Sequence, residues 1–160
     1  MTASLSAETL SFPSFQLEIQ DGWERSADNR PVDDLLSMIT LRRPDGVGVL
    51  KIGFHDALAV VSEDALRNLT NLDFSIPLTW QSWGDYSGYQ YNYSERGSFF
   101  RQWWLTNEGT IIFVTYQSDA ESDDVESEEI DNIVRSIVTT PALKRSESVD
   151  SRDYSPIRGE

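Results

Sequence analysis

"YSGYQYNYSERGSFFRQWWLTNEGTIIFVTYQ", residues 86–117, is the stretch that decides the fold. It contains three runs rich in aromatic and β-branched residues, separated by the turn sequences Glu95-Arg96-Gly97 and Asn107-Glu108-Gly109. Such runs between turns predict strands, here at 86–94, 98–105 and 110–117. The second and third runs carry apolar residues on both faces, which predicts strands at the buried centre of a sheet.

The first of these runs has a different pattern. Tyr89, Tyr91 and Tyr93 alternate with Gln90 and Asn92, which predicts a half-exposed strand near a sheet edge. Tyr and Trp are frequent anchors of protein interfaces. We therefore predict a partner-binding surface on this strand and on the tryptophans just before it, formed by Trp80, Trp83, Tyr86, Tyr89 and Tyr91.

Further strands are predicted upstream of this stretch. Residues 14–20 alternate apolar and polar side chains, as expected of a half-buried strand. Residues 35–42 and 47–54 flank the sequence Pro44-Asp45-Gly46, in which Pro presets φ and Gly accepts a positive φ, so they predict an antiparallel hairpin. A fourth strand is predicted at 78–83.

Two helices are predicted. Ser62 is followed by two acidic residues and then by apolar residues at helical spacing, which indicates a short capped helix. Residues 123–138 are amphipathic, and Asp123 and Glu126 have the spacing of a capping box. The expected fold is α+β: one twisted antiparallel sheet of about six or seven strands with helices on both faces, an α/β/α sandwich.

The chain of 160 residues is long enough for one domain with a well-buried core. We assign that domain to residues 11–140. Residues 1–10 are expected to be a flexible tail, and residues 141–160, which mix Ser, Pro and both charge signs, a disordered one.

The charge is strongly acidic. There are 27 Asp and Glu against 13 Lys and Arg, a formal net charge of −14. Such a field repels phosphate, so nucleic acid is an unfavourable partner and a protein with a basic or apolar surface a favourable one. The chain has no cysteine and no apolar stretch long enough for membrane insertion, and residues 1–12 do not have the pattern of a signal peptide. A cytoplasmic protein is therefore expected.

No catalytic residue, metal site or cofactor is predicted. His55 is the only histidine, and a catalytic triad or zinc site needs more partners than it has. The acidic residues from Asp119 to Asp124 lack the glycine and the final glutamate of a calcium loop. The alternative to a binding protein is an enzyme or small-ligand carrier with a pocket between sheet and helix near His55, Asp56 or the Asp119–Asp124 corner.

The order of four motifs resembles the PsbP-like, Mog-type fold. They are FQLEIQDGW (15–23), LRRPDGVGVLKIGF (41–54), FFRQWWLTNEGTIIFVTY (99–116) and EEIDNIVRSIV (128–138). The resemblance implies a twisted antiparallel sheet with helices on both faces. It also implies non-enzymatic protein binding, of the kind found in Eag-type bacterial chaperones. We therefore predict a non-enzymatic protein-binding domain of the chaperone, adaptor or immunity type.

Overall fold

The computed structural model describes residues 7–25, 37–57 and 59–140. Within these ranges the chain forms ten strands, two α-helices and one short 3-10 helix. The strands are β1 (Ala7–Ser11), β2 (Phe15–Gln20), β3 (Glu24–Arg25), β4 (Ser37–Arg42), β5 (Gly48–Asp56), β6 (Gln81–Trp83), β7 (Tyr86–Glu95), β8 (Ser98–Asn107), β9 (Thr110–Asp119) and β10 (Val138–Thr139). The helices are α1 (Glu63–Leu69), the 3-10 helix (Ala120–Ser122) and α2 (Ser127–Arg135).

A seven-stranded antiparallel sheet, the large sheet, has the order β3-β4-β5-β9-β8-β7-β6. Its strands follow the turn signals of the sequence. Gly46 N donates to Arg43 O at 3.0 Å in the turn between β4 and β5. Arg96 and Gly97 both have positive φ, 54° and 83°, the conformation that a two-residue hairpin turn requires.

A second sheet of three strands, the small sheet, has the order β1-β2-β10. The prediction of a single sheet is therefore wrong, and so is the prediction of a flexible tail for residues 7–10. Leu10 is buried in the core and pairs with Leu17 of β2, so burial of this side chain and the strand pairing hold the segment in place. The remainder of the two predicted tails, residues 1–6 and 141–160, lies outside the described residues.

One face of the large sheet, the inner face, packs against the small sheet and α2. Apolar side chains of all three elements form one continuous buried cluster, in which Phe15 of β2 contacts Phe54 and Tyr86 edge-on. Other members of this main core are Leu17, Ile19, Leu41, Leu50, Ile52, Trp83, Trp103, Leu105, Ile112, Val114, Ile130, Ile133, Val134 and Ile137.

The opposite face, the outer face, has a smaller buried cluster. Leu66 of α1 packs there with Tyr89, Trp104 and Ile111. Because α1 has only seven residues, it covers part of this face. An α+β fold is confirmed, but the expected sandwich with a helical layer on each face is not observed, because the small sheet shares the inner face with α2.

The two helices begin differently. Ser62 Oγ accepts a hydrogen bond from Ala65 N at 3.1 Å, so the predicted cap of α1 is confirmed. The predicted capping box of α2 is wrong: the helix begins at Ser127, and Glu126 makes no side-chain cap. Among the residues that the structure describes, no helix has the length and apolar character needed to cross a membrane.

Candidate binding surface

Two of the five predicted surface residues belong to the main core. Trp83 is 3% exposed and Tyr86 is 1% exposed. The Trp83 ring meets Trp103 edge-on at 5.7 Å, and the Arg135 guanidinium lies 4.3 Å from its centre. Trp83 packs beneath α2, and Tyr86 packs against Phe15 of the small sheet, so neither side chain is accessible to a partner in this fold.

The other three residues lie on the outer face. Tyr89 is only 7% exposed, and Trp80 contacts it edge-on at 5.2 Å. Burial raises the pKa of the Tyr89 hydroxyl, with a smaller contribution from the nearby Glu63 carboxylate. Trp80 and Tyr91 remain half-buried. The predicted surface is therefore divided between two faces, and three of its five residues are buried.

Strand parity explains the division. Side chains alternate between the two faces of a strand, so Tyr86 and Tyr89, three positions apart, must point in opposite directions. This signal was present in the sequence. Grouping the aromatic residues of 80–91 by residue type alone conceals this alternation.

An aromatic ladder, formed by Tyr91, Tyr93 and Phe100, continues the outer face beyond Tyr89. The Tyr91 and Tyr93 rings stack at 6.0 Å with an interplanar angle of 24°, and the Tyr93 and Phe100 rings stack at 4.8 Å with an angle of 15°. All three rings are half-buried. Stacked rings of this kind form a flat apolar surface with polar hydroxyl groups at its margin.

The ladder follows from the β7–β8 hairpin. Tyr91 and Tyr93 share a face because they are two residues apart on β7, and Tyr93 pairs directly with Phe100 of β8. Phe100 is absent from the predicted surface, because the apolar residues on both faces of its strand predict a covered position. The two-residue turn Arg96-Gly97 could have identified it, because such a turn fixes the register of the hairpin.

A shallow hollow of about 160 Å³ lies on the same face, at the position of Gly53. Gly53 pairs with Met38 of β4 and Phe113 of β9, and its missing side chain leaves the depression between them. Lys51 contributes an exposed ammonium group to the rim. Between the hollow and the ladder, Gln102 pairs with both Tyr91 and Thr115, so a polar row connects the two features across the sheet.

Asp56 is one of the residues named for the alternative enzymatic site. Its carboxylate makes hydrogen bonds that connect parts of the fold. Its Oδ1 accepts hydrogen bonds from Ser14 Oγ and Thr110 Oγ1, both at 2.9 Å. Asp56 thereby joins the end of β5 to the residues just before β2. His55, the preceding residue of β5, is half-buried.

Just beyond the Asp119–Asp124 corner, Glu126 has a structural role. Glu126 is 4% exposed and accepts hydrogen bonds from Tyr116 Oη at 2.8 Å and from Val47 N at 3.3 Å. Within residues 7–25, 37–57 and 59–140, no three His, Asp or Glu side chains lie close enough together to hold a metal ion.

The comparisons with known proteins concern the fold. No protein-family model matches the sequence, and no curated protein sequence matches it. The chain is similar to a crystal structure from Bacteroides thetaiotaomicron VPI-5482, with a TM-score of 0.58 and 13% identity over 79% of this chain. This chain spans 45% of that protein's length. The likeness shows a shared fold and, at this identity, nothing further.

Two more solved structures are similar over most of their length. One is the solution structure of cyanobacterial PsbP (CyanoP) from Synechocystis sp. PCC 6803, with a TM-score of 0.49 and 12% identity over 88% of this chain and 95% of that one. The other is LpqN, involved in cell envelope biogenesis of Mycobacterium tuberculosis, with a TM-score of 0.45 and 13% identity over 86% and 92%. The Mog-type and Eag-type part of the resemblance stays a prediction.

Proposed function

We propose that the chain is a non-enzymatic polypeptide-binding domain, of the adaptor, chaperone or immunity type, and that it holds its partner on the outer face of the large sheet. The observation that carries this proposal is the aromatic ladder of Tyr91, Tyr93 and Phe100, whose stacked rings are half-buried at the surface. The partner is a protein segment, and the place of action is the cytoplasm.

At the outer face, the size of the hollow favours a polypeptide side chain over a drug-sized molecule. Sites for drug-sized ligands enclose about 300–1,000 Å³, whereas the hollow at Gly53 encloses about 160 Å³. That volume accommodates one side chain of a longer ligand whose remaining contacts lie along the ladder. An aromatic anchor in a pocket beside a flat apolar row is a common arrangement at protein interfaces.

The charge of the chain favours a basic or neutral partner. The formal net charge is −14, and a field of this sign accelerates encounter with cationic segments. The ladder itself contains no charged residue, so the field would direct the encounter and the rings would provide the apolar contact.

A peptide selection tests the proposal. The wild-type protein would be used to select from a phage-displayed library of linear peptides, and the strongest binder would be synthesised with a fluorescent label for anisotropy titration. In the double variant Tyr93→Ala/Phe100→Ala we expect the Kd to rise at least about 10-fold, because truncation of an aromatic hot-spot residue costs about 2 kcal/mol or more.

Phe74→Ala provides the matched control. Phe74 is an aromatic residue with 73% exposure that lies outside the ladder, so its removal should leave the Kd within about twofold. Failure to enrich any peptide, or equal binding by the double variant and the wild type, would refute the proposed function. Thermal melting of each variant confirms that it is folded.

A further inference from the structure

The edge of the large sheet is only partly covered at β7. β7 has ten residues, but β6 pairs only with its first three, from Trp83↔Tyr86 to Gln81↔Gly88. On the side away from β8, no strand among the described residues pairs with the segment from Tyr89 to Glu95. Within the described part of the chain, the backbone of this segment is therefore an unpaired strand edge.

Hairpin geometry identifies the backbone groups that face outward. Residues that flank a two-residue hairpin turn form a hydrogen-bonded pair, and hydrogen-bonded pairs recur at every second residue. Glu95 pairs with Ser98 across the Arg96-Gly97 turn, so the odd-numbered residues of β7 bond to β8. The N–H and C=O groups of Gln90, Asn92 and Ser94 consequently point away from the sheet.

This edge lacks the features that usually block strand addition. Natural edge strands are protected by prolines, lysines, bulges or very short length. The segment from Tyr89 to Glu95 reads YQYNYSE, with no proline and no lysine, and its pairing with β8 runs without interruption from Ser87↔Thr106 to Glu95↔Ser98. It is a regular edge that can accept another strand.

We propose that the partner binds by strand addition: an extended basic segment of another protein pairs antiparallel with β7 along Gln90, Asn92 and Ser94. This inference rests on the proposed function, since it specifies how a polypeptide reaches the aromatic ladder. Alternate side chains of the added strand lie on the outer face, where they extend the row formed by Tyr91 and Tyr93. Main-chain hydrogen bonds to β7 then supply affinity, and contacts with the rings of the aromatic ladder supply selectivity.

Charge selects a basic partner over a second copy of the chain. Each copy carries a formal net charge of −14, so pairing two free edges brings like charges together. The last row of the outer face at this end carries two acids, because Glu95 lies in one row with Ser98 and Asp119 on the adjacent strands. An antiparallel partner places its N-terminal residues at this end, where lysine or arginine would be stabilised.

An N-methyl scan of the selected peptide tests strand addition directly. A methyl group on an amide that faces β7 removes a hydrogen bond and obstructs the approach of the strand, whereas a methyl group on the alternate amides faces solvent. We expect the Kd to rise at least about 10-fold at every second position and by less than about twofold at the positions between. Equal effects at successive positions would overturn the inference.

A pair of edge variants tests the same contact from the protein side. Asn92→Pro/Ser94→Pro removes two outward N–H donors, and proline is tolerated where the N–H of an edge strand faces solvent. We expect at least about 10-fold weaker binding of the selected peptide. Asn92→Thr/Ser94→Thr is the matched control, because it changes the same side chains, keeps both donors and should bind within about twofold of the wild type.

The outcomes separate the two proposals. Suppose that Tyr93→Ala/Phe100→Ala abolishes binding while N-methylation changes the Kd equally at all positions. The ladder then binds polypeptides without strand addition. If no peptide is selected, the proposed function itself fails. If the free protein sediments as a dimer that Asn92→Pro/Ser94→Pro dissociates, a second copy occupies the edge and the basic partner is refuted.

Discussion

The Tyr116 hydroxyl donates a 2.8 Å hydrogen bond to the Glu126 carboxylate in the interior of the protein. The same carboxylate accepts a 3.3 Å hydrogen bond from the backbone N–H of Val47. Glu126 immediately precedes α2. Its carboxylate therefore joins the start of this helix to β9 and to the turn before β5. It is a buried acid with a defined set of donors, and its position explains why it does not cap the helix.

Removal of the Glu126 carboxylate should destabilise the fold. In Glu126→Ala the buried hydroxyl of Tyr116 and the N–H of Val47 lose their acceptor, and hydrogen bonds to a charged group contribute about 1.5–3 kcal/mol each. We expect the free energy of unfolding to fall by about 3 kcal/mol, measured by urea denaturation. Val125→Ala, at an adjacent residue that is 62% exposed, should change it by less than about 0.5 kcal/mol. Equal values for the two variants would contradict this assignment.

Stability should decline at alkaline pH. Burial raises the pKa of the Tyr86 hydroxyl to about 12, and burial together with the Glu126 contact raises the pKa of Tyr116 above its ordinary value. Unfolded tyrosines ionise near pH 10, whereas these two keep their protons in the folded state. Their contribution is therefore complete below pH 10 and is lost as the pH rises towards the folded pKa.

The variant Tyr86→Phe tests this pH dependence. A difference of about two pKa units corresponds to about 3 kcal/mol, so the free energy of unfolding of the wild type should fall by up to that amount through Tyr86 alone between pH 10 and pH 12. Urea denaturation at several pH values should show a shallower decline for Tyr86→Phe. Parallel curves for the variant and the wild type would show that Tyr86 does not contribute.

Two glycines of the β7–β8 hairpin should respond differently to alanine. A Cβ at Gly88 would lie 1.8 Å from the backbone O of Trp104, whereas a Cβ at Gly97 would meet nothing within 4 Å. Gly88→Ala forces two backbones apart and should lower the free energy of unfolding by about 3 kcal/mol. Gly97→Ala meets only the strain of a positive φ, about 1 kcal/mol. Denaturation curves that gave the reverse order would contradict the close approach at Gly88.

Asp56 should behave as a structural residue. Ser14 Oγ and Thr110 Oγ1 both donate to its Oδ1, so Asp56→Ala should lower the free energy of unfolding by about 2 kcal/mol. Asp56→Asn keeps an oxygen acceptor, so its free energy of unfolding should fall by less than that of Asp56→Ala. Calorimetric melting of the two variants provides the measurement. If both melted like the wild type, Asp56 would become available for a role at the surface.

Local turn signals were sufficient to predict most strands of the large sheet. The Pro44-Asp45-Gly46 and Arg96-Gly97 turns identified two hairpins, and β7, β8 and β9 begin at the predicted residues. The small sheet was not predicted, because β10 has two residues and its pairing with Phe15 and Gln16 leaves no local pattern. The C-terminal helix was predicted too long for a similar reason: Glu126 bonds to Tyr116, a tertiary contact that helical spacing does not reveal.

The candidate surface was predicted only in part. Tyr91 lies in the ladder, while Trp83 and Tyr86 lie in the main core. Residue type alone cannot distinguish an aromatic anchor of a core from one of an interface, since both favour large rings. The alternation of side chains along β7 decides the matter, because Tyr86 lies on the inner face and Tyr91, five positions later, lies on the outer face.

The pairing of β2 on both sides has a consequence for synthesis of the chain. Phe15 and Gln16 are among the first residues of the domain, and they pair with Thr139 and Val138 at its end. The small sheet therefore stays incomplete until nearly the whole domain has left the ribosome. Early in translation β2 can pair only with β1. The pairing of β2 with β10 joins residues far apart in the sequence, and such contacts are slow to form. β10 is therefore the last strand to join the small sheet. We expect truncation just before residue 138 to leave one edge of β2 unpaired and to make the domain prone to aggregation.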